Sequence, residues 1–451
     1  MATTAPAKVC ASEVHVPKDN LSDAEKMTTN GFADPVSSSS LESNRPLSDS
    51  WRLEPLTTRE RDKVASIVKA CTEQDLTALA FQASTEGGFV EDEIRRQAWP
   101  ILLGSDTTSG QDDDWNNLPP HKDESQVALD VHRAFVYYPR NESDATLTTR
   151  RTALSDLIVS TLRTHPSLSY FQGYHDIAQV LLLVLGLPSA RPALARLSLL
   201  KIRDFLLPTL SGTNAQLSLL VPLLHVSDPH LCTHISGLRP YFALAAVLTM
   251  FAHDIESYAS ISRLFDYLLS HDAVCLIYMF VAMITLRKEE LLDIPADEPE
   301  MLYAVLCKLP KPLDLEALIR RTEGLREMFP PETLPARAWS GISPFSALKT
   351  TRDVLATRTQ TLREGEVWLG LQAREIERRE AREEALKRVR RAVVVYRRPA
   401  GAVVLAVLVG VVSLWLGRGD VGGAASPFFR MIYGLRERVM FTVAQVLGRR
   451  V

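Results

Sequence analysis

The chain has 451 residues, of which 46% are hydrophobic and 23% charged, with a net charge of −3. That composition supports a sizeable core and excludes a wholly disordered chain, while the near-neutral balance excludes a general nucleic-acid binder, which needs a basic stripe. The five cysteines (Cys10, Cys71, Cys232, Cys275, Cys307) are scattered without a CxxC pair, which fits reduced thiols better than a zinc or disulfide framework.

Residues 1–50 are rich in Ser, Thr, Pro and Asp and read as a disordered leader. They hold no apolar run of the kind a secretory signal needs. From Thr57 the pattern turns helical: "RERDKVASIVKACTE" places Val64, Ile67, Val68 and Cys71 on one face. "DLTALAFQAS" follows with an aspartate cap, and "EGGFV" breaks the pattern. "EDEIRRQAWPILLG" predicts a short helix with acids in its first turn, ending near Pro100. An acidic loop, 105–125, precedes helical periodicity that runs to about Leu309 through "SQVALDVHRAFVYY", "TRRTALSDLIVSTLRTHP", "ARLSLLKIRDFLLPT", "PYFALAAVLTMFAH" and "SYASISRLFDYLLSHD". No alternating strand pattern stands out, so the expected fold is all-α, a multi-helix globule over 51–346 with wide apolar faces.

From 347 to 398 the composition shifts to Glu, Arg and Ala, as in a solvated, charged helical stalk. Residues 399–417, "PAGAVVLAVLVGVVSLWLG", carry no charge. Nineteen residues at about 1.5 Å each span about 28 Å, close to a bilayer's hydrocarbon thickness. Arg390, Arg391, Arg397 and Arg398 before the segment, Arg418 after it and Trp415 near one end complete a transmembrane pattern. The bland alternative is a buried core helix. The tail, 418–451, spaces Phe428, Ile432, Leu435, Val439, Val443 and Val446 helically among arginines and reads as an amphipathic interfacial helix.

Three His-Asp pairs, His175-Asp176, His253-Asp254 and His271-Asp272, raise the possibility of an HD-type metal phosphohydrolase. The bland reading, caps and turn residues at helix ends, is favoured, and no metal site is expected. There is no GxSxG elbow and no GxxxxGK[ST] loop. Two features remain. Asp130 and Arg133 lie three apart on a helix, where a carboxylate can hold a guanidinium or form an ordinary surface pair. "SLSYFQGYHDIAQVLLLVLG" (167–186) has an apolar second half and a polar head around Gly173. Phosphoryl transfer from GTP needs positive charge on the transferring group and a polar group that orients water. An arginine and a glutamine from two different helices supply both.

Three motifs then carry a resemblance. They are Arg95-x-x-x-Trp99, Val127-x-x-Asp130-x-x-Arg133 and Tyr170-Phe171-Gln172-Gly173. In this order and spacing they resemble the TBC-domain family of Rab GTPase-activating proteins, over roughly residues 84–310. Val127, where the family has isoleucine, is the only departure within these three motifs; just after them Tyr174 stands where most of the family has methionine. "RLFDYLL" (263–269) is similar to a later family helix. The resemblance implies an arginine finger at Arg133 and a glutamine finger at Gln172, supplied to a GTP-bound Rab-family GTPase. It implies that Asp130 positions Arg133, that Tyr170 and Gly173 shape the loop presenting Gln172, and that Arg95 and Trp99 are architectural or partner-facing, with the architectural role favoured. It also implies no activity by the chain alone and no cofactor of its own, since GTP and magnesium belong to the partner. "EGGFVEDEIRRQAWPILLG", "YFQGYHDI" and "IRDFLLPT", together with the apolar C-terminal segment, look like a subgroup anchored in the endoplasmic reticulum that acts in early secretory traffic with its domain facing the cytosol. A Rab-binding scaffold without catalysis is the main alternative.

Overall fold

A computed structural model describes residues 55–106, 114–140 and 142–416, excepting the side chains of 392–403 and 414–416. The expected leader, most of the acidic loop (107–113), residue 417 and the amphipathic tail lie outside the described residues. Among the described residues there is no strand; helices and short 3-10 turns make up the architecture.

The N-terminal part begins with α1 (Thr58–Glu73), capped by Thr57 and Glu60 in a reciprocal box, and α2 (Leu76–Ser84), whose cap Asp75 accepts from the Ala78 N–H. Helix α3 (Asp92–Leu103) runs through Pro100 instead of stopping there. A proline inside a helix costs about 3 kcal/mol, but Ile101, Leu102 and Leu103 beyond it are buried. Each buried apolar side chain contributes about 1.5–3 kcal/mol, enough to carry the helix past the proline. Gly104, at φ 71°, stops it in the left-handed conformation.

Helix α4 (Glu124–His132) ends at Arg133, so "RAFVYY", expected as helix, is a turn. Phe135 adopts φ 65°, its ring is buried, and its N–H donates to Gln179 Oε1 at 2.9 Å. Helix α5 (Asp144–Thr164), capped by Ser143, packs along α6 (Tyr174–Arg196) as the centre of the domain. Gly186 (φ 72°, ψ 159°) breaks α6 into two helical pieces, with Pro188 near the start of the second. The stretch Tyr174–Lys201 is long and apolar enough to cross a membrane, but 78% of its most apolar window is buried within the domain, so it is a core element.

"ARLSLLKIRDFLLPT" does not form one helix either. A wide turn over Leu197–Lys201 and a 3-10 turn over Arg203–Leu206 follow α6. The reason is two buried cations. Lys201 Nζ donates to the Leu268 and Leu269 carbonyls at 3.0 and 2.8 Å, closing the end of the Tyr258–Ser270 helix. Arg203 donates to the Phe345 carbonyl at 2.7 Å and stacks on Trp368 at 5.1 Å.

Those contacts reach into the region expected to be a free stalk. The helix Val354–Thr359 packs on α3. In the final helix, Leu362–Leu416, Leu369 and Gln372 are buried, and Leu362, Ala373 and Ile376 lie against the core. Gly365 sits so close to Leu199 that a Cβ would meet its carbonyl at 2.9 Å. Arg196 ties the Thr357, Arg358 and Gln360 carbonyls to the domain. The packed region therefore extends to about residue 376, because apolar side chains interrupt the Glu/Arg pattern there. From 377 to 391 every residue is exposed, with surface pairs such as Arg379–Glu383 at 3.3 Å. The same helix continues into the apolar segment. Val404, Leu405, Val407, Leu408, Val409, Val411 and Val412 are all exposed, so this stretch is not a core helix of the domain.

Candidate functional site

Arg133 caps α4 in a non-helical conformation, φ −100° and ψ 11°, and its side chain is 56% exposed. Its Nη2 donates to Asp130 Oδ1 at 2.5 Å. Asp130 itself is fully buried, and three donors satisfy it: Arg133, Gln126 Nε2 at 3.1 Å and the Tyr170 hydroxyl, on Oδ2, at 2.8 Å. A buried carboxylate with three donors, two of them held by packed elements, has a fixed orientation, and that fixes where the guanidinium starts.

The Tyr170 bond also crosses from α4 to the turn before α6. That turn is held along its length. The Leu168 carbonyl accepts from His121 Nε2 at 3.0 Å, Ser169 Oγ accepts from Lys122 Nζ at 3.2 Å, and the Tyr170 N–H donates to Asp123 Oδ2 at 2.9 Å. Burial, reinforced by the Asp130 charge, raises the Tyr170 pKa far above its ordinary value, so the phenol stays a donor. Phe171 then anchors inward against Tyr174 and Phe205, with ring centroids 5.5 and 6.4 Å apart. Gln172, between two anchored neighbours, is exposed at the head of α6.

Gly173 makes this possible. It caps α6 at φ 104°, and a Cβ there would stand 2.6 Å from Thr249 Cγ2. Gly173→Ala is expected to lose about 1–3 kcal/mol of stability from the backbone alone and to displace the Gln172 turn. Thermal unfolding of G173A and of G173A/T249S checks this, because T249S relieves the contact but not the backbone conformation. An unchanged melting temperature for G173A sinks the idea.

Arg95 and Trp99 are elsewhere, 1% and 0% exposed. Arg95 Nε and Nη2 bind Asp266 at 2.9 and 3.0 Å, Arg95 Nη1 binds Asp92 at 2.9 Å, and Trp99 Nε1 donates to Asp266 Oδ1 at 2.9 Å. The Tyr258 hydroxyl closes the network on Asp92 at 2.6 Å. This buried network pins α3 to the Tyr258–Ser270 helix and presents nothing to a partner.

The His-Asp pairs divide. His175 and His253 meet at Asp176, beside the Gly173 turn, with His253 Nδ1 3.0 Å from Oδ2 and His175 Nε2 3.3 Å from Oδ1. His271 is remote from them, against the Tyr267 carbonyl and Ser84. Among the described residues no three potential ligands converge on a metal position. Burial lowers the pKa of His175 and favours its neutral form.

Several supporting residues escaped sequence reading. Gln126 had a usable signal, its i,i+4 spacing to Asp130. His121, Lys122 and Asp123 meet the Gln172 turn across 47 residues of sequence, and Thr249 and His253 meet it across more than 70; no local pattern announces such contacts. Next to Arg133, the exposed apolar side chains Leu129 and Val136 and a cleft of about 420 Å³ lined by Phe135, Val136, Tyr137, Pro139, Arg140, Glu142 and Leu147 offer a surface for docking.

What these elements define is an all-helical domain that displays one arginine and one glutamine from two mutually braced turns. The sequence model of the Rab-GTPase-TBC domain matches residues 92–292. The chain is 31% identical to the GTPase-activating protein gyp10 of Schizosaccharomyces pombe over 290 residues, which cover 63% of this chain and 77% of that one. It is 33% identical to TBC1 domain family member 20 of Homo sapiens over 285 residues, 62% of this chain and 70% of the relative. The chain belongs to the Rab-GTPase-TBC domain family.

Proposed function

We propose that the protein is a GTPase-activating protein for a GTP-bound Rab-family GTPase, with Arg133 as an arginine finger and Gln172 as a glutamine finger. The observation that carries the reading is that both side chains are exposed while the groups beneath them are buried and joined by the Asp130–Tyr170 bond. In trans, the guanidinium of Arg133 neutralises charge building on the transferring phosphoryl group. The amide of Gln172, both donor and acceptor, orients the attacking water. The chain adds no metal or nucleotide of its own; GTP and magnesium come with the partner.

The long final helix supports a membrane anchor. A run of exposed valines and leucines is unfavourable in water and favourable in hydrocarbon, and it follows a charged, exposed stretch suited to the cytosolic side. The subgroup resemblance extends the reading to an endoplasmic reticulum or early secretory membrane. Ending the chain at Arg398 is expected to release the protein into the soluble fraction while stimulation in solution persists; continued sedimentation with membranes refutes the anchor.

The test of the function is the full chain in detergent micelles against a panel of GTP-loaded Rab GTPases, scored by phosphate release. Acceleration with at least one member is the expected result. Binding without acceleration across the panel establishes instead a non-catalytic scaffold.

A further inference from the structure

The turn 249–254 lies against the glutamine-bearing turn and is itself unusual. Met250 and Phe251 both adopt left-handed conformations, φ 51° and 63°, and both are buried. Two consecutive bulky residues there are strained and persist only where surrounding packing over-determines them. Their effect is to bring two side chains of the turn onto the head of α6. Thr249 Cγ2 fills the space a Gly173 side chain would take. His253 Nδ1 reaches Asp176 Oδ2 at 3.0 Å. The Asp176 N–H in turn donates to the Gly173 carbonyl at 3.1 Å, so the carboxylate that His253 holds belongs to the same turn of backbone as Gly173.

The side chain of His253 is 61% exposed, so its contribution to core packing is small. Its position, however, is on Asp176 beside the glutamine turn, within electrostatic reach of Arg133. The charged or titratable groups that face it or its partner include Asp176 from α6, Asp254 from its own turn, Arg133 from the end of α4, His175, and Tyr138 and Tyr170 beside Asp176. Asp254 Oδ2 is buried without a hydrogen-bond partner.

Resting on the activator reading above, the geometry points to His253 as a positioning residue for the glutamine finger: its hydrogen bond to Asp176 holds the Gly173 turn so that Gln172 is presented in one orientation. His253 acts through Asp176 and need not touch the GTPase. The hydrogen bond to Asp176 raises the His253 pKa above its ordinary 6.5, against the opposing effects of burial and Arg133. The charged form of the pair is therefore complete at low pH and is lost as pH rises through the raised value. The stimulated rate accordingly carries a limb that falls with rising pH, relative to the unstimulated GTPase.

Three versions of the full chain in detergent separate the possibilities: wild type, His253→Ala and His253→Asn, the last placing an amide N–H where Nδ1 stood. The probe is the GTP-loaded Rab most strongly stimulated in the panel above. The maximal stimulated rate of H253A is expected to fall about ten-fold, the scale of a small misplacement of a reacting group, with the half-saturating concentration unchanged. H253N recovers most of that loss but lacks the falling limb in its pH profile. In a Q172A background H253A has no further effect, because residues acting through one group are not additive. Hydrogen exchange over residues 168–176 is faster in H253A and restored in H253N. The proposal is overturned by an unchanged maximal rate with unchanged exchange, by the same loss in the Q172A background, or by a change confined to the half-saturating concentration. If exchange responds as stated but no Rab is stimulated even by wild type, the clamp stands and the activator reading fails.

Discussion

Arg133→Ala abolishes stimulation of the cognate GTPase, by about three orders of magnitude or more, the worth of an arginine finger supplied in trans. The fold survives. The Arg133 side chain is 56% exposed, so solvent screens its charge and takes over its hydrogen bonding when it is removed. Asp130, the buried partner, keeps the Gln126 amide and the Tyr170 hydroxyl as donors after the guanidinium is gone. The loss is therefore in rate, without a matching loss in melting temperature. Arg133→Lys recovers only part of it, since an ammonium supplies charge but not the planar fork that matches phosphate oxygens. Gln172→Ala behaves similarly, because no hydrogen bond within the described residues depends on its exposed amide. Single-turnover phosphate release at saturating activator, with circular dichroism as the control for folding, checks both. An R133A chain that stimulates as well as wild type ends the proposed mechanism.

The sequence carried the motifs of the proposed fingers and the all-helical class for different reasons. Helical class is a statement about periodicity, which "VALDV" and "IAQVLLLVL" display directly. Asp130 and Arg133 stand three apart, so their pairing is a property of local geometry. What could not be read was where helices stop against propensity. Pro100 is crossed because three buried residues follow it, and Phe135 turns left-handed because Gln179, 44 residues away, takes its N–H. Buried cations misled in the same way. Lys201 and Arg203 look like surface residues of one amphipathic helix, yet each closes carbonyls of a distant element. The domain boundary was hidden by composition: in "LREGEVWLGLQAREIERR" the charged majority masks Leu369, Gln372 and Ile376, which face the core.

The largest effect on stability is expected at Asp266, the aspartate of the "RLFDYLL" stretch. Its carboxylate, fully buried, accepts from Arg95 through two nitrogens, from Trp99 Nε1 and from the Phe89 N–H at 2.9 Å. It is the shared acceptor of α3, the turn before α3 and the Tyr258–Ser270 helix. Gly88 is shaped around it, since a Cβ there would lie 2.5 Å from Oδ2. Asp266→Ala leaves the Arg95 guanidinium buried with only Asp92 to balance it, and leaves the Trp99 and Phe89 donors unmet. Removing one partner of a buried ion pair costs about 3–5 kcal/mol, far more than the pair contributes relative to a well-packed apolar replacement. The expected D266A protein therefore unfolds at markedly lower denaturant concentration, and the cost belongs to the stranded charge. The combined variant Asp92→Asn, Arg95→Met and Asp266→Leu tests that cause, because it removes the guanidinium together with both of its buried carboxylates and roughly keeps volume. It should be substantially more stable than D266A alone. A combined variant as unstable as the single changes summed would show that packing, and not the uncompensated guanidinium, sets the loss.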